Sequence, residues 1–223
     1  MGFWQQVWVV SWKDLRAEAR GHAATANMVA FALIIVVILS FAFDAAVSRA
    51  VLPGMLWAAV FFAGTLGLNR SFAAEHAEGG LVGLLVAPVD RAVIFAGKLA
   101  ANLIFMFIVE AVTIPVFCLL GNAGPGPAWP WFGLLVVVGT LGFSAAGTVL
   151  AAIASHARSG EMLLPVILFP VLVPVIIGCV QATRSVLGLA GMGPYWTWLW
   201  FMVAYDLLFI AVPALLFEYV LES

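Results

Sequence analysis

Charge is what this chain has least of. Of its 223 residues, 9 are Lys or Arg and 11 are Asp or Glu, so 9% are charged, where an ordinary soluble domain carries about a quarter. Twenty charges cannot cover the water-facing surface of a 23.7 kDa globule, which excludes a soluble domain. A hydrophobic content of 65% excludes disorder as well. The net charge of -2 leaves no basic surface for nucleic acid. Cysteine is nearly absent. Cys118 and Cys179 both sit in apolar runs and read as small membrane-embedded residues, not as a disulfide or metal framework. Hydrolase, zincin and c-type haem signatures are missing. The one Gly-Lys pair, Gly97-Lys98, has Ala92 where a Walker A loop needs glycine, and Leu99 where it needs Ser or Thr. On those grounds ATP hydrolysis is expected from a separate chain, and catalysis by this chain alone is not expected.

What the sequence has instead is long apolar runs. A membrane span takes about 20 mostly apolar residues. Six stretches qualify, at about 27–46, 51–68, 99–120, 131–154, 162–180 and 196–217. A signal peptide is the rival reading of the first, but the 26 residues ahead of it are not a short basic leader. The expected fold is therefore all-α and integral to the membrane. Residues 1–26 form an N-terminal interfacial helix and 27–223 the six-helix transmembrane domain. With the N-terminus in the cytoplasm, Lys13, Arg16, Arg20, Arg70, Arg91, Lys98 and Arg158 lie inside, and Arg49 and Arg184 outside. This bias orients the chain and returns the C-terminus to the cytoplasm.

Two cytoplasmic features stand out. In residues 3–20, Phe3, Trp4, Val7, Trp8, Ser11, Trp12 and Leu15 recur at helical spacing, and charges gather toward Arg20. Such a helix lies in the headgroup layer, either as a passive anchor or as a connecting helix that moves with a partner. The loop at about 69–98 carries Glu75, His76 and Glu78, then Gly79-Gly80, an amphipathic piece ending at Ala87-Pro88, and Asp90-Arg91, with Asp90 suited to cap the third span. It reads either as a docking element for a soluble partner or as a solvated loop whose charges keep it out of lipid.

Inside the spans, Glu110 and Asp206 are costly. An ionised carboxylate at mid-membrane costs about 2.5–3.5 kcal/mol on insertion scales, so each must face protein or water, or be protonated. Glu110 lines a path or a partner interface, or bonds to Asn102, Thr113 or a neighbouring helix. Asp206 is expected nearer the outer interface and partly wet. The fourth span carries Gly139, Gly142, Ala146 and Gly147 beside Ser144 and Thr148, the mark of close helix packing. Pro165, Pro170 and Pro174 make the fifth span irregular, with a hinge as the alternative. Tyr195, Trp196, Trp198 and Trp200 form an aromatic segment suited to the outer interface.

The order of the leader Trp12-Lys13-Asp14-Leu15-Arg16-Ala17-Glu18-Ala19-Arg20, then Leu68-Asn69-Arg70-Ser71-Phe72, Glu75-His76-Ala77-Glu78-Gly79-Gly80-Leu81, Leu84-Leu85-Val86-Ala87-Pro88 and Lys98 resembles the CcmB family over nearly the whole chain. CcmB is the permease subunit of the cytochrome c maturation ABC transporter, also called the haem exporter. The resemblance implies a type-2 ABC permease fold and a place in the bacterial inner membrane. It also implies an ATPase partner, CcmA, gripping a coupling element at Glu75, His76, Glu78, Gly79, Gly80, Asp90 and Arg91. Partners CcmC and CcmD follow from it, together with ATP-driven haem handling that releases the haem-loaded chaperone CcmE on the outer face. ATP acts through the partner alone. No cofactor is assigned to this chain, and haem is cargo or is held by a partner, since His22, His76 and His156 all fall on the cytoplasmic side. The segment Tyr195 to Trp200 is similar to the tryptophan motif of CcmC but lacks its Trp-Asp ending and flanking histidines, which favours the aromatic belt. The alternatives are a generic type-2 permease for a lipid or drug, and a non-transporting scaffold of a haem-delivery complex.

Overall fold

The computed structural model describes the backbone of residues 2–21, 23–43, 45–77, 91–155 and 160–220, and the side chains of 2–20, 24–43, 49–68, 92–154 and 163–211. These residues form seven α-helices and no strand: α1 Phe3–Gly21, α2 Ala23–Ala42, α3 Ala45–Ala77, α4 Arg91–Leu120, α5 Trp129–Ser155, α6 Gly160–Val186 and α7 Met192–Val220. A short 3₁₀ turn, Gly126–Ala128, leads into α5. Five stretches, in α2 to α6, are long and apolar enough to cross a bilayer: Ala24–Ala42, Arg49–Leu68, Ala92–Leu120, Gly126–Ala154 and Leu163–Val186. The chain is thus an all-helical, multi-pass membrane protein. The sixth expected span lies within α7, whose described part is diluted by Trp196, Trp198, Trp200 and Asp206 and is not among the five.

The helix boundaries differ from the sequence expectation in two places. The first apolar helix ends at Ala42, not near residue 46. In the interval at 69–98, α3 continues to Ala77, while α4 starts at Arg91, close to the helix start expected from Val89, and 78–90 lie outside the described residues. Helical propensity through Phe72-Ala-Ala-Glu-His-Ala77 carries α3 past its apolar stretch, an extension that hydropathy alone cannot see.

Contacts between side chains fix the helix directions. From Asn102–Thr148 to Glu110–Thr140 one number rises as the other falls, so α4 and α5 run antiparallel. From Trp131–Tyr195 to Gly142–Asp206 both rise together, so α5 and α7 run parallel. Trp57 against Gly139 and Phe61 stacked on Phe143 make α3 and α5 parallel too. Met202 against Gly178 and Tyr205 bonded to Val171 set α6 antiparallel to α7. The bundle therefore alternates up and down from α3 to α7.

At its centre is α5. It touches α3, α4, α6 and α7, and 72% of its apolar stretch is buried, against 17% for α2 at the rim. Lipid supplies no hydrophobic drive between helices, so contact has to come from close packing and polar bonds. Absent side chains make that approach possible. A Cβ on Gly139 would run into the Cys179 sulfur and the Trp57 ring, one on Gly142 into the Asp206 carboxylate, and one on Gly147 into Leu68. The small residues of the fourth expected span thus face three different neighbours. Gly133, on the same helix, meets nothing within 4 Å.

Replacing Gly147 by Leu should cost about 1–3 kcal/mol through overpacking, whereas Gly133→Leu should be close to neutral. Thermal unfolding of the two variants in the same mild detergent checks this, and equal stabilities would contradict the packing.

Candidate functional site

Two groups of polar side chains are enclosed by this bundle. The first pins α1. Val7 and Val10 pack on Val93 and Ala96 of α4. A Cβ on Gly97 would strike Val10, so glycine lets the two helices touch. Ser11 Oγ lies 2.9 Å from both the Val7 and Gly97 carbonyl oxygens and shares its one proton between them. Lys98, itself buried, then pairs with Asp14 at 2.9 Å. Where α1 meets α2, Glu18 accepts a hydrogen bond of 2.6 Å from the Thr25 N–H in the first turn of α2. The seven-residue stripe read from the sequence therefore divides. Val7 and Ser11 turn to α4, whereas Trp4, Trp8 and Trp12 remain 79%, 58% and 51% exposed, with Trp8 stacked on Trp12.

The second group lies in the membrane interior, along α5. Thr140 donates a short 2.5 Å hydrogen bond to Glu110 Oε1. Two turns further toward α1, Asn102 donates to Thr148 at 2.9 Å, and Thr148 donates to the Ser144 carbonyl. Glu110 is 2% exposed. Among the described residues its Oε2 has no hydrogen-bond partner, and neither do Thr113 Oγ1 and Ser144 Oγ. Of the contacts considered for Glu110, the neighbouring helix provides the one that forms, while Asn102 bonds elsewhere.

Asp206 lies on another face of α5. Thr140 and Gly142 are about 200° apart around a helix of 3.6 residues per turn, so the two carboxylates flank α5 and do not line one wall. At 4% exposure, Asp206 is enclosed, not partly wet as its position in the sequence suggested. Gly142 removes the side chain that would otherwise fill its place, and α6 closes over it with Val175. Cys179 on α6 faces Gly139, while Glu110 and Asp206 face Thr140 and Gly142 of the same turn of α5, which places all three at a similar depth.

The aromatic segment lies at the far end of the bundle from α1. Tyr195 is fully buried and donates to the Trp131 carbonyl at 2.8 Å, and Trp131 meets both Tyr195 and Trp196 edge-on. Trp196 and Trp200 are exposed and Trp198 is half-buried. The start of α5 thus shares a belt with the start of α7. Further in, Trp57 of α3 donates to Thr183 of α6 at 2.8 Å.

Of the residues expected to engage an ATPase, Glu75 and His76 lie on the last helical turns of α3, and Arg91 opens α4. Their side chains, and Glu78, Gly79, Gly80 and Asp90 altogether, lie outside the described residues, as do the side chains of His22, His76 and His156. Sequence reading missed the Lys98–Asp14 pair and the Glu110–Thr140 bond. A signal for the second was present, since Thr140, Ser144 and Thr148 repeat every four residues on a helix already marked for close packing.

The CcmB protein family matches residues 5–222. The chain belongs to the CcmB family. A curated CcmB relative, the Heme exporter protein B of Paracoccus denitrificans, is 32% identical over 202 residues, covering 90% of this chain and 91% of the relative. That of Rhodobacter capsulatus is 30% identical over 181 residues, covering 80% and 83%. The Pseudomonas aeruginosa protein of the same name is 26% identical over 186 residues, covering 81% and 82%. The match takes in α1 as well as the bundle, so the leader is part of the CcmB pattern.

The pinned α1 of this CcmB chain yields a mutational test. Lys98→Met leaves Asp14 with only the half-exposed Lys13, 3.3 Å away, and should cost about 1–3 kcal/mol. The double change Lys98→Met with Asp14→Leu should recover most of that loss. Unfolding midpoints of the three proteins decide the matter, and a double variant as weak as the single one would remove the ion pair from the account.

Proposed function

We propose that this chain is the membrane-spanning permease subunit of an ABC transporter for cytochrome c maturation. It couples ATP hydrolysis in a separate subunit, CcmA, to haem handling and to release of the haem-loaded chaperone CcmE on the outer face of the bacterial inner membrane, in an assembly with CcmC and CcmD. The observation that carries this reading is the CcmB match over nearly the full chain, with relatives named Heme exporter protein B. A chain with no nucleotide-binding motif of its own then needs its energy from outside.

In this reading α7 is the sixth span, of a type-2 permease. Its support is the parallel run of α7 beside α5 through Tyr195–Trp131 and Asp206–Gly142, since a helix matched to a spanning neighbour along that length shares its depth. Both termini are then cytoplasmic, in keeping with the Lys and Arg bias. The exposed tryptophans of α1 sit at the headgroup layer, beside the face that α1 turns to α4. The CcmA contact falls on the junction of α3 and α4, at Glu75, His76, Glu78, Gly79, Gly80, Asp90 and Arg91. Because α1 is fastened to the start of α4 by Ser11 and Asp14, a push on that junction moves α1, α3 and α4 together.

Reversing charge with Glu75→Lys and Glu78→Lys should lower the recovery of CcmA with the tagged chain by roughly tenfold, the equivalent of about 1.4 kcal/mol. Unchanged recovery and unchanged stimulation of ATPase activity would remove the coupling assignment. Formation of c-type cytochromes with a hydrolysis-dead CcmA would instead make this chain a scaffold.

A further inference from the structure

Among the described residues, the membrane interior holds two carboxyl groups and no cation paired with them. Among the described residues the one buried ammonium, Lys98, is committed to Asp14 near α1, and Arg184 lies at the end of α6. At the depth of Glu110, helices α2, α3 and α5 present no titratable side chain. Those that face this layer are Cys179 on α6, and Tyr205 and Asp206 on α7. Every one of them is neutral or acidic, so the described residues supply no countercharge at this depth.

Glu110 itself is bonded on one side only. Thr140 donates to Oε1, which suits a carbonyl oxygen as well as a carboxylate oxygen. Oε2 is enclosed without a partner. Thr113, fully buried one turn further along α4, and Ser144, fully buried one turn from Thr140 on α5, also have unpartnered hydroxyl oxygens. Buried polar groups are nearly always bonded, and an enclosed ion with a single bond and no countercharge is among the costliest arrangements a protein can hold. A carboxyl group meets this by taking up a proton, which cancels the charge and turns the bare oxygen into a donor, free to serve a nearby hydroxyl or a trapped water.

We propose that Glu110 is a proton-binding site in the membrane interior, held as the neutral acid with Oε1 accepting from Thr140 and Oε2 carrying the proton. Thr140 keeps the acid in one orientation, and Thr113 and Ser144 are the hydroxyls within its surroundings. The site does not depend on the identity of the cargo. Any motion that parts α4 from α5 breaks the Thr140 bond and brings water to the acid, so gain or loss of this proton accompanies opening of that seam.

Infrared spectra of the full chain in lipid at neutral pH test it. Exposed carboxylates are ionised at that pH, and a neutral acid shows a separate carbonyl stretch. The expected result is such a band that shifts on incorporation of ¹³C-labelled glutamate and is lost in Glu110→Gln. Loss of an ionised-carboxylate band instead would overturn the proposal, as would a neutral-acid band that ignores the glutamate label. Should Glu110→Gln fail to fold, the isotope shift in the unaltered protein still decides between the two. Thr140→Val should move the band to the frequency of a less hydrogen-bonded carbonyl without abolishing it. An unmoved band would remove Thr140 from the site. Narrowing or loss of the band on adding sodium or potassium ions would assign the site to a metal cation and overturn proton binding.

Discussion

The bundle depends on how closely four helices can approach α5. In water, burial of apolar surface would gather them; in lipid that force is missing, and contact has to come from fit and from a few polar bonds. Glycine provides the fit. Gly139 admits Trp57 of α3 and Cys179 of α6, Gly142 admits Asp206 of α7, and Gly147 admits Leu68 of α3. The polar bonds then fix the register, with Thr140 and Thr148 holding α4 and the Trp131 carbonyl holding α7. A helix with larger side chains at those three glycines would push its neighbours outward and break the bonds as well.

The same economy explains where charge is found. Most charges lie outside the apolar spans, and those within the bundle are handled in two ways. At the α1 end of the bundle a lysine and an aspartate pair and fasten the leading helix to the start of α4. In the interior, carboxyl groups sit against a threonine hydroxyl and a bare glycine, with no cation paired to them among the described residues. The first arrangement makes α1 part of the structural unit next to the proposed ATPase contact. The second places a polar contact between α4 and α5 at Glu110.

Much of this was legible from composition and order. Scarcity of charge gave the membrane class, the apolar runs gave five helices that the structure contains, and the motif order from Trp12 to Lys98 pointed to the CcmB family that the chain belongs to. Helix ends were less legible, because hydropathy marks where lipid stops and helical propensity does not stop there; α3 runs on to Ala77 for that reason. The leader illustrates another limit. Its periodic stripe is wider than one contact face: Val7 and Ser11, with Val10 beside them, lie on the side toward α4, whereas Trp4, Trp8 and Trp12 lie further around the helix and stay outside. Partners of single polar residues were the least legible. Glu110 could have met Asn102, Thr113 or another helix, and only the register of α4 on α5 selects Thr140.

The proposed mechanism is mechanical: a helical bundle without a nucleotide-binding motif of its own is driven from the cytosol where α3 hands over to α4. The most direct measurement replaces Cys118 and Cys179 by Ala, places a single cysteine at His76, and exposes sealed vesicles of known orientation to a maleimide that cannot cross the membrane. Labelling of inside-out vesicles alone, with protection once the ATPase subunit is bound, is the predicted result. Labelling of right-side-out vesicles alone would put this junction on the wrong face of the membrane and contradict the account.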